Sequence, residues 1–418
     1  MIEIFHIVSF ILLFCAVFAY LNVKYFRLPA TIGLMIAGLV FSILLMVSSA
    51  FQPVFFEETR NALLELDFST ILLEGMLSFL LFAGALHTDL EKLKSARGPV
   101  MSFATIGVIM ATFMIGGIMF YVFNLFGLEV PFIHCLLFGA LISPTDPIAV
   151  MGTLKKARVP KLLETKIVGE SLFNDGIGVV VFLTLFQIAK VGTEEVTASY
   201  VTQLFLVEVG GGILLGAALG LGGLQLMKRI DEYKTEVLIT LAIVMGGYSI
   251  AHMLHVSGPL AMVVAGLLVG NYGEEQAMSG LTLDYVNKFW EVVDEILNAL
   301  LFVLIGLELL IINMQIAYII AGLVAAVVVL LVRYTSLWTT TQIFGFKKTF
   351  LPNTLKIMTW GGLRGGISVA LALSLEPYMA KELIVTVTYI VVLLSLLGQG
   401  LTVGSFIKRF KPEEIKSL

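Results

Sequence analysis

Apolar stretches of about twenty residues, parted by short polar loops, recur from one end of the chain to the other. A helix needs about 20 mostly apolar residues to cross the hydrocarbon core of a bilayer. The pattern predicts thirteen such spans: 4–22, 28–49, 66–86, 99–126, 132–154, 165–190, 201–227, 234–254, 257–271, 296–312, 316–344, 354–376 and 382–407. The ninth and tenth are the shortest. The fold class expected is therefore an all-α polytopic membrane protein. Composition agrees. Of 418 residues, 58% are hydrophobic and only 13% are charged, with a mean hydropathy of +0.99. Soluble domains average about 25% charged.

The loops carry their basic residues unevenly. Alternate loops hold Lys24, Arg27, Lys92, Lys94, Arg97, the cluster between Lys155 and Lys161, Lys228, Arg229, Lys234, Lys288, Lys347 and Lys348. The remaining loops hold Arg60, Lys190 and Lys381. By the positive-inside rule the first set is cytoplasmic. The expectation is a multi-pass protein of the cell membrane, N-terminus outside and C-terminus inside, which requires an odd number of spans. No cleavable signal peptide is expected, because no basic region precedes the apolar residues 4–22 and no small-x-small site follows them.

The chain also echoes itself. Pro29-Ala-Thr-Ile-Gly-Leu-Met-Ile-Ala-Gly-Leu-Val40 resembles Ser257-Gly-Pro-Leu-Ala-Met-Val-Val-Ala-Gly-Leu-Leu268, and Leu80-Leu-Phe-Ala-Gly84 resembles Leu301-Phe-Val-Leu-Ile-Gly306. Span 2 thus matches span 9, and span 3 matches span 10. An offset of seven spans reverses direction across the bilayer, so these are inverted repeats, the construction of many secondary transporters. The predicted organisation is one membrane domain over 1–418. Within it, 1–190 is a first six-helix repeat, 201–227 a linking span, 234–407 a second repeat and 408–418 a short cytoplasmic tail.

Two acidic motifs interrupt the apolar background. Gly169-Glu-Ser-Leu-Phe-Asn-Asp-Gly176 sets Glu170 and Asp175 inside span 6, beside Ser171 and Asn174. A charge at bilayer depth costs roughly 2.5–3.5 kcal/mol on insertion scales, so each needs a use or a partner. Arg333 in span 11 is a deep basic residue that would offset Glu170 and leave Asp175 available. Ser171 and Asp175, four apart, share a helix face and can offer oxygens to one cation. Glu74, mid-span in helix 3, is a third acidic group placed to reach the same cavity. A buried aspartate holds a proton or a small cation, and the two compete for it. Asn174 is neutral, so one carboxylate carries the exchange and turnover is electroneutral.

The second motif is Ser143-Pro144-Thr145-Asp146-Pro147. Proline removes a helical donor and clashes with the preceding turn, and it pushes Ser143 and Asp146 toward extended conformations. The helix should unwind here, freeing carbonyls such as that of Thr145. Irregular backbone at membrane depth is tolerated only inside protein or beside a watery cavity. The break forms part of a hard-cation site, or is a proline kink with Asp146 capping the next half-helix, and the two are compatible. Span 12 contains the corresponding Trp360-Gly-Gly-Leu-Arg364-Gly-Gly366, whose glycines permit a second break. Arg364 there balances Asp146, or caps half-helix carbonyls, or snorkels to the membrane surface.

Taken together, Thr145-Asp146-Pro147, Glu170-Ser171-x-x-Asn174-Asp175, Arg333 and Gly361-Gly-Leu-Arg364-Gly resemble the NhaP-type members of the first cation–proton antiporter family (CPA1), relatives of the mammalian sodium/proton exchangers. The resemblance covers nearly the whole chain. It implies a six-helix core domain moving against a dimerisation domain, and a homodimer. It also implies that Asp175, Asp146, Ser171 and the Thr145 carbonyl bind Na⁺, with Asn174 and Glu74 beside them, and that Glu170 pairs with Arg333. The activity implied is exchange of Na⁺ or Li⁺ for H⁺ by alternating access, with K⁺/H⁺ exchange on the same fold as an alternative.

Other classes fit less well. Paired aspartates also serve intramembrane aspartyl hydrolases, but the nucleophile motif of that class is not present and inverted repeats have no role in it. A channel needs a continuous ring of ligands, whereas this cluster lies within one chain. Basic residues are scattered, which disfavours nucleic acid. Cys15 and Cys135 lie in apolar segments and read as core thiols. No cofactor is expected; Na⁺ and H⁺ are cargo, and the expected partners are membrane lipid and a second copy of the chain.

Overall fold

Polar residues at the loop ends start the helices. The computed structural model describes residues 2–49, 51–65, 68–146, 154, 161–192, 197–346 and 353–410. Asp89 accepts from the Lys92 N–H at 3.0 Å and begins a short interfacial helix. Lys92 also pairs with the Asp89 side chain and holds that carboxyl below its ordinary range. Glu232 accepts from the Thr235 N–H at 2.8 Å, and Ser257 accepts from the Leu260 N–H at 3.3 Å. Such caps satisfy donors that a helix leaves orphaned at its N-terminus.

In chain order the helices are α1 Ile2–Leu21, α2 Ala30–Ser48, α3 Pro53–Glu65, α4 Phe68–Leu86, α5 Leu90–Ser95, α6 Arg97–Leu125, α7 Phe132–Ile142, α8 Lys161–Val191, α9 Ala198–Met227, α10 Tyr233–Leu254, α11 Gly258–Gln276, α12 Gly280–Leu307, α13 Ile316–Ile343, α14 Thr354–Gly361, α15 Gly366–Leu373 and α16 Lys381–Arg409. Among the described residues nine are long and apolar enough to cross a membrane, and α7 and the apolar part of α11 are shorter. The all-helical membrane fold stands, but this measure does not reach thirteen spans. α14 and α15 have only eight residues each. α12 fails on charge. Residues 147–153 and 155–160, and with them Pro147 and most of the second half of span 5, lie outside the described residues, as do Lys347, Lys348 and 411–418.

The tenth span begins earlier than its hydropathy suggests. The helix starts at Gly280, not near 296. Asp284, Lys288, Glu291, Asp294 and Glu295 depress the local hydropathy without interrupting helical geometry, because one face of this half stays apolar. Trp290 is fully buried and its Nε1–H donates to Thr240 Oγ1 at 3.0 Å. The loop helices α3 and α5 are further elements that the hydropathy pattern does not predict.

The helix pairs related by the sequence echo pack crosswise. α2 lies on α12: a Cβ on Gly38 would stand 2.8 Å from the Val303 carbonyl oxygen, and Ser42 Oγ donates to the Gly306 carbonyl at 3.0 Å. α11 lies on α4 in the same way, with Gly266 against the Phe82 carbonyl and Gly270 against that of Leu86. Small residues let backbones approach this closely where lipid offers no hydrophobic drive between helices. At the centre of the bundle, α8 is mostly buried and meets α7, α11 and the broken α14–α15 segment.

Candidate functional site

Two helices break at mid-depth, and their breaks touch. α7 ends at Ile142 and leads through Ser143–Asp146; α14 ends at Gly361 and resumes as α15 at Gly366. The two strands of irregular backbone run antiparallel, joined where the Asp146 N–H donates to the Leu363 carbonyl at 2.8 Å. Gly362 and Gly365 allow the crossing. A Cβ on Gly362 would stand 2.9 Å from Arg333 Nε, and one on Gly365 would overlap the Asp146 carboxylate. Gly365→Val is therefore expected to displace Asp146, at about 1–3 kcal/mol of stability and a large loss of transport. Wild-type flux and melting temperature in that variant would show that the crossing yields at no consequence.

Arg364 holds the first break open. Its guanidinium is buried and donates from Nη1 to the carbonyls of Ser143 and, at 2.6 Å, Pro144. The Ser143 carbonyl lost its helical donor because residue 147 is a proline. Of the roles considered for Arg364, capping is the one the geometry adopts, and snorkelling is excluded by its burial. Its own N–H donates to Ser395 Oγ at 3.0 Å.

α8 clamps the same break from the other side. Asn174 accepts from the Thr145 N–H at 3.2 Å through Oδ1 and donates from Nδ2 to Thr145 Oγ1 at 2.9 Å. Ser171 Oγ lies 3.1 Å from Thr145 Oγ1. Thr145, Ser171 and Asn174 are thus tied to one another and fully buried. Beside this clasp, Glu170 and Arg333 bind each other bidentately, with Nη1–Oε1 at 2.5 Å and Nη2–Oε2 at 2.7 Å.

Asp146 and Asp175 face a cavity of about 490 Å³. They are 9% and 8% exposed, and both line that cavity. The Asp175 carboxylate accepts no hydrogen bond from a described residue. The clasp residues do not line the cavity wall. Glu74 is not brought to it either. It sits on an exposed face of the π-helical turn Ile71–Met76, where Tyr248 Oη–H donates to the neighbouring Leu73 carbonyl at 2.7 Å. The expectation that Glu74 shares this cavity is corrected on that ground: π-helical turns shift the angular register that a regular helix would give.

The cavity wall also holds His87, Glu164, Glu291 and Asp294, none of which belongs to the two acidic motifs. Glu291 and Asp294 stand three apart on the charged half of α12, so their shared face was a usable signal once that half was known to be helical.

Comparison with known proteins agrees with the geometry. Residues 10–409 match the family described as sodium/hydrogen exchanger, transmembrane. The Na⁺/H⁺ antiporter NhaP of Pseudomonas aeruginosa is 50% identical over 395 residues, 93% of this chain and 93% of that protein. The chain belongs to the sodium/hydrogen exchanger family. The Na⁺/H⁺ antiporter NhaH of Halobacillus dabanensis is 33% identical across 92% of this exchanger-family chain and 93% of its own length. The sodium proton antiporter MjNhaP1 from Methanocaldococcus jannaschii shares the fold, with a TM-score of 0.76 over 98% of this chain and 99% of that one, at 19% identity. Membership of a transporter family sets aside the intramembrane hydrolase alternative.

Proposed function

We propose that this chain exchanges Na⁺ for H⁺ across the cell membrane, with Asp175 as the carboxylate for which the two ions compete. The observation that carries this reading is a charge imbalance at the crossing. Three buried carboxylates, Asp146, Glu170 and Asp175, meet two buried guanidiniums, Arg333 and Arg364. Glu170 and Arg333 neutralise each other, and Arg364 answers one of the two aspartates. One negative charge is left over, beside a cavity. An uncompensated buried charge is strongly disfavoured, so a proton or a small cation must occupy the site. Exchange then follows if the site faces each side in turn only when occupied.

Asp146 supplies a second carboxylate, and the clasp of Thr145, Ser171 and Asn174 positions the break and presents its oxygens. Competition for one charge predicts one Na⁺ per H⁺. The named Na⁺/H⁺ antiporters among the relatives favour Na⁺ over the K⁺ alternative. The inverted repeat of 1–190 and 234–407 belongs to the same proposal, supported by the crosswise packing of α2 on α12 and α11 on α4. So do a homodimer and the orientation with the N-terminus outside.

The test is Na⁺-driven proton flux in proteoliposomes. A Na⁺ pulse should move protons at the same rate with the membrane potential clamped at zero as without the clamp. Flux that needs a potential would reject one-for-one exchange. In the same assay, acidifying the Na⁺ side should raise the apparent KM for Na⁺ by up to about tenfold per pH unit with the maximal rate kept, since each Na⁺ bound displaces one proton. An apparent KM indifferent to pH would reject competition.

A further inference from the structure

A second cavity, of about 1080 Å³, lies at the other end of the bundle. The alternation of helix directions places residues 87–97 and the start of α8 at one face, where the Asp175 cavity collects His87, Thr88 and Glu164. It places 126–131, 308–315 and 374–380 at the opposite face, where the second cavity collects Glu129, Glu308, Asn313 and Lys381. The charged groups facing it are Arg60, Glu129, Glu308, Lys381 and Glu382. Two of these are engaged at the rim. Arg60 lies 3.8 Å from Glu57, and Glu382 accepts from Asn313 Nδ2 at 3.2 Å.

Glu308 differs from these. It follows the last residue of α12, in the tight turn Glu308–Leu310, and is only 5% exposed. Its carboxylate accepts no hydrogen bond from any described residue. Lys381 acts on it electrostatically without forming an ion pair. Glu308 also stands at a narrow apolar neck beneath the cavity, walled by Leu63, Phe68, Ile71, Leu304 and Leu307. Beyond that neck runs α15. Its first residues line the Asp175 cavity and its last, Leu373, lines this one. Along α15 the linings of the two cavities are separated from Ser368 to Leu373, about 7.5 Å at about 1.5 Å per residue.

The sequence echo relates these two places. Gly84 and Gly306 correspond, and the residues just beyond them are His87 and Thr88 in one cavity wall and Glu308 in the other. A buried carboxylate that accepts no hydrogen bond from the described residues and faces a cavity has the chemistry of a cation site.

We propose that Glu308 is the cation-capturing carboxylate of a second vestibule, open on the face opposite to the Asp175 cavity. It holds Na⁺ or H⁺ at the neck until the apolar wall parts and α15 exposes Asp175 to that side. The inference rests on the exchange reading above. A bare carboxylate attracts both ions, so it raises the local concentration of each and leaves the exchange equilibrium unchanged.

Glu308→Gln tests this, with uptake of radiolabelled Na⁺ measured in right-side-out and everted membrane vesicles. The apparent KM should rise about fivefold or more in the preparation that presents residues 308–315 to the bath, within the range by which a charged cleft raises local ion concentration. It should keep its wild-type value in the other preparation, and the proton dependence should move with Na⁺ at the affected face. A KM that is unchanged, or raised equally at both faces, overturns the proposal. If Glu308→Gln yields no uptake at either face, Glu308→Asp decides. A rise confined to the same face supports capture, and equal values at both faces reject it. Wild-type vesicles that take up no Na⁺ against a proton gradient would instead sink the exchange reading itself.

Discussion

Replacing Asp175 with asparagine removes Na⁺-driven proton flux, by at least about a hundredfold, the equivalent of ~2.7 kcal/mol of ion binding. The side chain keeps its size and its place in the cavity wall. What it loses is one negative charge, which leaves Arg364 a single aspartate to answer. With that charge gone the crossing is neutral without an ion, so nothing draws Na⁺ in and no proton needs to leave. The variant should fold as well as the parent or better, because neutralising a buried, unpaired carboxylate lifts a desolvation penalty. Flux and the melting temperature are measured on the same purified protein. Exchange at even a tenth of the parental rate would place the competing carboxylate elsewhere, with Asp146 the next to examine.

The second large effect is on stability. Glu170→Gln and Arg333→Met should each lower stability by about 3–5 kcal/mol, since breaking a buried pair strands a charge in low dielectric. The double variant Glu170→Met/Arg333→Met should recover much of that loss, because it strands none. The reason lies in the geometry. Both side chains are buried, they bind through two contacts, and they join α8 to α13 beside the clasp that holds Thr145. Thermal melts of the three variants in detergent decide it. Additive losses in the double variant, or singles that melt like the parent, would mean that the pair is not worth its desolvation.

Some of this organisation is legible from the letters alone. Proline spacing in Ser143-Pro144-Thr145-Asp146-Pro147 and the glycines of 361–366 announce two broken helices, because these are backbone properties that need no neighbour. The spacing of Glu170, Ser171, Asn174 and Asp175 sets four polar groups on adjacent faces of one helix. Glu170 and Arg333 are 163 positions apart, yet a charge that must be answered at membrane depth has few answers in this chain.

Other assignments needed neighbours. The resemblance groups Asn174 with the ion ligands, but its amide is spent on Thr145. Glu74 was placed in the cavity by its depth along α4, and a π-helical turn carries it to an exposed face. Glu291 and Asp294 were hidden because a charged helix half reads as a loop on hydropathy.

The chain by itself determined the membrane class, the helices and the positions where two of them must fail, since hydrophobic length and proline and glycine stereochemistry act within a few residues. Tertiary structure alone decided that the two failures cross, that Arg364 caps one with its guanidinium, and which carboxylates are left facing water-sized space. Burial and partnership are properties of pairs, and the partners here lie from 26 to 221 residues apart.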